Sequence, residues 1–586
     1  MTELKVYSIA KEREKRTCDV VVYGATGFTG KEVAKYLCRN ARADLKWAIA
    51  GRSQSKLGQL KSHLMSTIAN GSLPDIFVSD AEDTRTLQAM FAETRLVLNC
   101  TGPFRFLGRQ VVEACLVVQA DYMDICGEPQ FMETCFLDYH ALACEKKVLI
   151  VHACAFDSVP ADLGCLFAQQ QYPKDCCAHI ESFLHIKCPK GLKAHYTTFE
   201  CAVHGVGDAA SLKEIRKKID AKYKPGRLEH VGPKLQRNTG SYFDKRVDKY
   251  AIPFMGADAS VVRQSQRALS LNTGASVFPQ YAAYACLNSF YWVATAGFYG
   301  TIFQTLSSFE MGRSLLLSCP EMLSAGVFSH DGPSKAQLEQ TSFEMHFYSL
   351  GYSQPLPAES DASASASTPA TTTTTTTKGG REILSPDQLQ GTSTLNKGCE
   401  FPSFASSSSS SSAAGGTDRA RKDKPDQKMH TVVTGPEPGY VATPAIFVTL
   451  ALSMLEQRSS LPSGGVATPA AVWAGVPEVF DRLRASGIGF RVVGANWDEG
   501  IRKSRVLSEV GADEPESDGG GGGGGNASGE QRTEKGGERG HDSGVGVPLA
   551  SGKEGLSPSN EADSAPVRAQ LLSPSSADDS WEGEKK

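Results

Sequence analysis

Residues 19–38, DVVVYGATGFTGKEVAKYLC, decide the fold of this 586-residue chain. The β-branched run at 19–23 predicts a buried strand, and the apolar residues of 31–38 recur at the spacing of one helix face. Gly24, Gly27 and Gly30 stand between the two. A strand, a glycine-rich turn and a helix in this order are typical of the first unit of a domain that binds a dinucleotide.

The same alternation continues along the chain. The further predicted strands are 46–50, 75–78, 96–99 and 147–152, and the predicted helices are 54–68, 85–91 and 109–118. Such alternation builds a parallel sheet covered on both faces, and right-handed crossovers bring the carboxyl ends of its strands to one edge, where ligands bind. We therefore predict a Rossmann-type, doubly wound α/β sheet over residues 17–165, after an N-terminal lead of residues 1–16.

The pattern changes after residue 165. Longer amphipathic strands, such as ESFLHIK at 181–187, predict a second α+β domain over residues 166–354. Runs of seven Thr, Ser or Gly mark residues 355–427 and 503–586. Because that composition cannot bury enough apolar surface to offset the entropy of ordering, both stretches are predicted to be disordered. Apolar periodicity returns over 428–502, which makes 355–427 an insertion into the folded body.

The glycine turn predicts a site for a pyrophosphate, because glycines let backbone N–H groups approach the phosphates and the following helix begins with its positive end. The second strand ends at Gly51-Arg52-Ser53, without the acidic residue that accepts hydrogen bonds from the ribose of NAD. A guanidinium there pairs with the 2′-phosphate of NADP, so NADP(H) is predicted over NAD(H), with a merely solvated Arg52 as the alternative.

The predicted cofactor-binding residues extend from the glycine turn to the ends of three further strands. Asp80 is expected near the adenine, and residues 101–103 near the nicotinamide, although ordinary turns at strand ends would use the same residue types. The full predicted set is Gly24, Ala25, Thr26, Gly27, Phe28, Thr29, Gly30, Arg52, Ser53, Asp80, Thr101, Gly102 and Pro103.

No residue stands out as catalytic. Asp157 is the one candidate we retain, because its segment follows a predicted strand end, but Asp157 and Asp162 equally suit helix capping around Pro160. Other polar residues predicted at the same edge are Tyr122, Asp124, Cys126 and Glu128. The chain has no GxxxxGKS/T loop, no Tyr-x-x-x-Lys pair after the glycine turn, no GxSxG and no HExxH. Phosphoryl-transfer, short-chain reductase, hydrolase and zinc chemistry therefore have no anchor, and no metal is expected.

Charge and cysteine content exclude further classes. With 61 Lys and Arg against 65 Asp and Glu, the net charge is −4, so no positive field favours nucleic acid as a partner. The 16 cysteines contain no CxxC pair, and the N-terminal KEREKR at 11–16 is not followed by a signal-peptide core. These features predict reduced thiols in a cytosol-facing protein that is not secreted.

One stretch does not fit an ordinary soluble enzyme. Residues 268–309 contain no Asp, Glu, Lys, Arg or His, and residues 281–306 within them are mostly apolar and aromatic. Three interpretations stay open: a helix buried in the enzyme, a contact in a homodimer, and association with a membrane or lipid-droplet surface, spanning or interfacial.

Seven motifs, in order, resemble those of the saccharopine dehydrogenase-like oxidoreductases. They are YGATGFTGKEVAKYL, WAIAGRS, VLNCTGPFRFLG, DICGEPQF, CAFDSVPADLG, IPFMGADASVVRQSQ and VTGPEPGYVATP, within residues 17–493. Saccharopine reductases and mycobacterial trans-acting enoyl reductases are more distantly similar. The resemblance implies a saccharopine reductase-like second domain, completion of the first domain by the C-terminal segment, and association with lipid droplets or membranes. It assigns Gly24, Gly27 and Gly30 to the pyrophosphate and Arg52 to the 2′-phosphate, and it supplies no catalytic residue.

Together these observations predict an NADP(H)-dependent oxidoreductase whose substrate is a lipid or lipid-linked small molecule, in glycolipid or acyl metabolism. Two alternatives remain. A saccharopine-type amino-acid oxidoreductase would need cationic clamps for carboxylates in its substrate pocket. A non-enzymatic adaptor at a lipid surface would use the Rossmann fold only as a scaffold.

Overall fold

The computed structural model of the chain describes residues 4–68, 72–224, 228–273, 277–355 and 424–495. All of them belong to one compact unit, Met1–Asp513. Residues 356–423 of the predicted insertion, and the whole predicted tail 503–586, lie outside the described residues, so their disorder stays a prediction.

The first sheet is parallel throughout and carries the glycine turn. Its strands are β1 (Cys18–Tyr23), β2 (Trp47–Gly51), β3 (Asp75–Val78), β4 (Thr94–Asn99), β5 (Asp121–Asp124), β6 (Leu149–Val151) and β15 (Gly465–Ala467). They lie in the order β15-β6-β5-β4-β1-β2-β3. The direction of winding reverses at β1, next to β4, which opens a crevice at the carboxyl ends of these two strands. The predicted Rossmann-type sheet is confirmed.

Helices cover both faces of this sheet. They are α1 (Phe28–Asn40), α2 (Gln54–Thr67), α3 (Thr84–Ala92), α4 (Phe104–Val118) and α5 (Pro129–Glu145). Helix α6 (Val159–Gln169) follows β6 and packs on the second sheet, where its Gly164 faces the Phe347 ring. Helix α4 begins five residues before the predicted 109–118, because the Glu128 carboxylate accepts a hydrogen bond from the Phe104 N–H at 2.8 Å. Helix α5 was not predicted, although its buried Phe131, Cys135 and Tyr139 recur at helical spacing.

A second sheet is mixed and confirms the α+β part of the fold. Its strands are β7 (Cys177–Lys187), β9 (Tyr242–Asp244), β10 (Lys249–Pro253), β11 (Gln280–Leu287), β13 (Ser342–Gly351), β14 (Gln427–Pro436) and β16 (Gly489–Ala495). They lie in the order β16-β14-β13-β7-β11-β10-β9, and β7 with β11 forms its parallel pair. A small separate pair joins β8 (Ala194–His195) and β12 (Phe328–Ser329).

The remaining helices follow residue 195. They are α7 (Tyr196–Gly207), α8 (Ala209–Tyr223), α9 (Asp258–Thr273), α10 (Phe290–Ser307), α11 (Glu310–Ser318), α12 (Pro320–Leu323), α13 (Lys335–Gln340), α14 (Thr443–Glu456), α15 (Pro469–Trp473) and α16 (Glu478–Ala485). A π-helical turn, Pro438–Ala442, directly precedes α14.

The C-terminal segment completes both sheets. Strand β15 pairs with β6 in the first sheet, whereas β14 and β16 extend the second sheet beyond β13. The buried Asp121 carboxylate, at the start of β5, binds both Arg13 of the N-terminal lead and Arg458 of the C-terminal segment. The predicted segments 17–165, 166–354 and 428–502 are therefore interleaved in space.

The uncharged stretch 281–306 does not form a single element. Its first residues belong to the largely buried β11, and the rest form α10. Within the described ranges, one helical run is long and apolar enough to cross a bilayer, Pro438–Glu456, and most of it is buried in the core. A transmembrane span over 281–306 is therefore excluded by the strand that occupies its beginning.

Candidate functional site

The glycine turn follows β1 and depends on its glycines for packing. Gly24 has a φ of +81°, and a Cβ on it would lie 2.6 Å from Thr101 Cγ2. A Cβ on Gly30 would lie 2.2 Å from the Gly24 carbonyl oxygen. Gly27 is the N-cap of α1, and no side chain caps this helix end. The first N–H groups of α1 therefore remain available to a phosphate, as the chemistry of a pyrophosphate site requires.

A cleft of about 850 Å³ opens beside this turn. Its walls come from the carboxyl edge of the first sheet and from α7 and α10, with the Pro438–Ala442 turn closing one side. The predicted cofactor residues that line it are Gly24, Thr26, Gly27, Phe28, Thr29, Arg52, Asp80, Thr101 and Gly102. The structure thus brings four separate strand ends to one cavity of a size that suits a dinucleotide and a substrate.

Four predicted cofactor residues do not line the cleft. Ala25 is fully buried, and Gly30 packs against the Gly24 backbone. Ser53 accepts a hydrogen bond from the Lys56 N–H and so caps α2. Pro103 is the N-cap of α4. These four residues pack or cap the backbone beneath the cleft and do not line it.

Arg52 and Asp80 lie at the outer end of the cleft, after β2 and β3, and both are exposed. The Asp80 carboxylate accepts a hydrogen bond from the Glu82 N–H at 3.2 Å. Among the described residues, no ion pair occupies the Arg52 guanidinium, which leaves all of its donors free. This is the arrangement that a 2′-phosphate needs.

Asp157 lies at the inner end, where the loops after β4, β5 and β6 meet. A Cβ on Gly127 would lie 2.6 Å from Asp157 Oδ2, so the glycine makes room for the carboxyl group. Although the side chain reaches solvent through the cleft, the surrounding protein desolvates the carboxyl and raises the pKa of Asp157. The group therefore holds a proton to higher pH than a free aspartic acid.

Arg105 shares the inner wall but is already engaged. Its Nε donates to Glu128 Oε2 at 2.6 Å, and its Nη1 donates to Asp208 Oδ2 at 2.7 Å. Arg52 and Arg105 are the Lys or Arg side chains among the described residues of the cleft lining. Since Arg52 is at the outer end and Arg105 is neutralised twice, the inner end offers no uncompensated cation to a substrate carboxylate.

A buried polar network lies beneath the inner end of the cleft. Asp124 Oδ2 accepts from the Tyr122 hydroxyl at 2.9 Å and lies 2.7 Å from His152 Nδ1. Asn99 donates to the Tyr122 hydroxyl and accepts from the Thr101 N–H at 3.0 Å. Of the four polar residues expected at this edge, Glu128 lines the cleft, whereas Tyr122, Asp124 and Cys126 are buried beneath it.

An aromatic cluster that was not predicted from the sequence packs against the glycine turn. The Phe28 ring stacks on His195, with ring centres 4.7 Å apart, and meets the edge-on ring of Tyr440 at 4.6 Å. The His195 N–H donates to the Tyr440 hydroxyl at 2.8 Å. Glu437 fixes this turn by accepting from the N–H groups of Gly439 and Tyr440. The GPEPGYVATP motif marked this segment, but nothing in its spacing placed it beside residue 28.

Asp162 does not belong to the site. Its Oδ2 accepts from Ser265 Oγ and from the Ala470 N–H, both at 2.8 Å, and burial raises the pKa of Asp162 to about 7. The N-cap of α6 is Ser158, without a side-chain hydrogen bond. The capping alternative is therefore wrong for both aspartates at this helix.

Comparison with known proteins agrees with this geometry. Residues 20–151 match the family described as the saccharopine dehydrogenase NADP binding domain. Over 493 residues the chain is 35% identical to the saccharopine dehydrogenase-like oxidoreductase of Rattus norvegicus, covering 82% of this chain and 99% of that protein. The first match confirms the predicted preference for NADP(H).

More distant relatives cover the same region. A saccharopine dehydrogenase-like oxidoreductase of Arabidopsis thaliana, described as "probable mitochondrial", is 32% identical over 503 residues, with 81% of this chain and 96% of that protein covered. A "lipid droplet localized protein" of Caenorhabditis elegans is 28% identical over 483 residues, with 81% and 98% covered. The solved saccharopine dehydrogenase (L-Glu forming) of Saccharomyces cerevisiae aligns with 9% identity and a TM-score of 0.44, over 81% of this chain and 100% of that chain.

The match to the rat protein spans 82% of this chain and 99% of that protein, and the family model covers the glycine turn within residues 20–151. The chain therefore belongs to the saccharopine dehydrogenase-like oxidoreductase family, with an NADP-binding domain built on the glycine turn.

Proposed function

We propose that this chain is an NADP(H)-dependent oxidoreductase that acts on a neutral, apolar substrate held at a lipid surface. The observation that carries the proposal is the wall of the cleft, in which Arg105 is neutralised by Glu128 and Asp208 and which also includes Phe303. Such a wall favours an acyl or glycolipid group over an amino acid with several carboxylates.

The residues of the cleft fit the cofactor. The N–H groups at the start of α1 would hold the pyrophosphate, Arg52 the 2′-phosphate, and Thr101 with Gly102 the nicotinamide side. NADPH supplies a hydride when it is bound. The protein's own part is to orient the two reactants and to exclude water, for which the Phe28, His195 and Tyr440 rings close the phosphate end.

Asp157 is the proposed source of the proton. Its carboxyl group lies in the cleft at the inner end and holds its proton more tightly than usual because of desolvation. We expect Asp157→Asn to leave NADPH affinity within about twofold. NADPH oxidation supported by a total lipid extract should fall about 100-fold, in the range of a lost general acid. Unchanged oxidation would remove Asp157 from the reaction.

The saccharopine-type alternative requires positive charge on the same wall of the cleft. A dicarboxylate substrate would need at least one Arg or Lys whose charge is not already compensated, whereas Arg105 pairs with two carboxylates and keeps only its buried Nη2 without a hydrogen-bond partner. For location we propose a lipid droplet or a cytosol-facing membrane, supported by the name of the worm relative, whereas the name of the plant relative points to the mitochondrion.

Fluorescence titration with NADPH and NADH tests the cofactor assignment. Loss of a charge-assisted contact in Arg52→Asp should weaken NADPH binding about 10- to 100-fold and leave NADH binding nearly unchanged. Arg42→Asp, an exposed arginine whose side chain is 63% accessible and lies outside the cleft lining, is the matched control.

The outcomes separate the alternatives. Absence of binding of either nucleotide would exclude both enzymatic interpretations and leave the adaptor. Equal binding of both nucleotides, unaffected by the substitution, would remove only the role of Arg52.

A further inference from the structure

Helix α10 exposes its large aromatic side chains. Phe290, Tyr291, Trp292 and Phe298 are 64%, 70%, 51% and 63% exposed. The buried positions of this helix are Val293 and Ser307. Folding normally removes such rings from water, so this surface retains a large unused driving force for association.

Exposed apolar side chains continue on both sides of α10. Phe290 contacts the Tyr250 ring of β10 at 6.0 Å, and Tyr250 contacts Phe243 of β9 at 5.3 Å, where Phe243 is 49% exposed. On the other side, Met311 of α11 is 82% exposed. We call Phe243, Phe290, Tyr291, Trp292, Phe298 and Met311 the aromatic surface.

The shape of the aromatic surface indicates a fluid partner. Phe290, Tyr291 and Trp292 are consecutive, and consecutive helical residues point about 100° apart, so their rings extend around most of the helix. A rigid protein partner would cover one face, whereas lipid surrounds an inserted helix on several sides. Tyr and Trp are the side chains that favour the boundary between headgroups and acyl chains.

Charge and polarity along the helix agree with insertion at that boundary. No Asp, Glu, Lys, Arg or His occurs in residues 268–309. The C-terminal half of α10 exposes Thr301, Gln304 and Thr305 instead of rings. The N-terminal half would thus lie deeper than the C-terminal half. Lys249, whose Nζ lies 3.0 Å from the neutral Asn288 Oδ1, provides a cation at the rim for lipid phosphates.

The same helix forms part of the cleft wall. Phe303 and Gln304 line the cleft together with Cys201 of α7, and the Phe303 ring contacts Phe199 at 5.6 Å. Met255, 81% exposed, lines the cleft as well. One end of α10 is therefore on the aromatic surface and the other end at the cleft.

From this continuity we infer that the aromatic surface docks on a phospholipid surface and that the cleft takes its substrate directly from the lipid beside α10. The docking part stands on the exposed rings alone. The delivery part rests on the proposed function, because it gives the NADPH-binding cleft an apolar substrate from the lipid phase.

Flotation of the full-length chain with phosphatidylcholine vesicles tests the docking. The triple variant Tyr291→Ser, Trp292→Ser, Phe298→Ser should lose at least about tenfold in vesicle partitioning, as expected when three interfacial rings are removed. The matched control replaces exposed apolar residues elsewhere, Ile9→Ser, Met65→Ser and Val78→Ser, which are 86%, 59% and 49% exposed. It should float like the unaltered chain. NADPH titration of both variants verifies that the fold is intact.

Energy transfer tests the position of the cleft. NADPH bound to the floated protein should transfer its excitation to lipids that carry a nitrobenzoxadiazole headgroup, and the triple variant should show none. Flotation without transfer would overturn delivery from the lipid. Flotation of the triple variant equal to that of the unaltered chain would overturn docking. Docking would also be overturned if the unaltered chain does not float but forms a dimer, and the triple variant is monomeric. Flotation of a chain that binds no NADPH would support docking and refute the proposed function.

Discussion

Two apolar helices of this molecule, α10 and α14, have opposite surroundings. In α14 the side chains of Ile446, Phe447 and Leu450 are fully buried, whereas α10 presents Tyr291 and Trp292 to the outside. Helix α14 is mainly aliphatic, while α10 is rich in aromatic residues and glycine. The difference shows that an apolar composition predicts a helix that avoids water, but does not specify whether protein or lipid covers that helix.

The neighbours of each helix explain the difference. Helix α14 packs beside α1 of the first sheet, and its buried polar group, Ser453, accepts a hydrogen bond from Trp473 Nε1 at 3.1 Å. Helix α10 is anchored near its C-terminal end, where Phe303 packs against Phe199 and Leu316. Its N-terminal half extends past this small cluster, so no comparable core is available to it.

The largest expected difference concerns stability. Leu450→Ala removes a fully buried side chain from α14 and should lower the free energy of unfolding by about 2–5 kcal/mol. Phe298→Ala removes a larger side chain from α10 but should change it by no more than about 0.5 kcal/mol, because that ring is 63% exposed. Urea unfolding of both variants measures the contrast, and similar losses would show that α10 is covered in the isolated protein.

A smaller effect should appear as a pH dependence of the free energy of unfolding, caused by the buried Asp162. Asp162 receives the Ala470 N–H of α15, and burial raises its pKa from 3.8 to about 7. The folded state binds the proton of Asp162 more tightly than the unfolded state does. Protonation therefore stabilises the fold fully below about pH 4, and the free energy of unfolding falls by ~1–4 kcal/mol as the pH rises to 7. Thermal unfolding of Asp162→Asn against the unaltered chain should show that slope removed.

Vesicle binding through α10 provides the contrast to this pH dependence. Residues 268–309 contain no group of the Asp, Glu, His, Lys or Arg type. Flotation should therefore stay constant between about pH 4 and 7 wherever the fold is intact. A flotation curve that follows the titration of Asp162 would show that the two sides are coupled.

The smallest effect compares two tyrosines. Tyr440→Phe removes the acceptor of the His195 N–H beside the turn that leads into α14, and should cost about 1 kcal/mol of stability with a few-fold loss of NADPH affinity. Tyr291→Phe on α10 should change neither quantity, since its ring is 70% exposed. Calorimetric titration with NADPH measures the affinity of both variants, and urea unfolding measures their stability. An unchanged NADPH affinity in Tyr440→Phe would show that the C-terminal segment takes no part in cofactor binding.

The first sheet could be predicted because its signals are local. Strand β3 has the predicted bounds 75–78, and β1, β2 and β4 agree within two residues. The glycine turn could be predicted from its position between a strand and a helix; the contact that requires Gly30 is with Gly24 itself, whereas Gly24 makes room for Thr101 after β4. The beginning of α4 was predicted too late because the carboxylate that accepts from its first N–H, that of Glu128, comes from the loop after β5.

The cleft could be predicted only in part. Arg52, Asp80 and Thr101 were found because each follows a strand of the parallel sheet. His195 and Tyr440 were missed because they reach Phe28 from segments about 170 and 410 residues further along, a proximity that no sequence periodicity encodes.

By itself, the sequence determined a parallel sheet with a glycine turn at its carboxyl edge and an arginine at the end of the neighbouring strand, because backbone geometry and charge act locally. The tertiary structure decided that Arg105 is neutralised by Glu128 and Asp208, that the C-terminal segment belongs to both sheets, and that α10 rather than α14 remains uncovered. Those outcomes depend on which distant segments compete for the same surface, and a helix stays exposed when the core has no further surface to offer it.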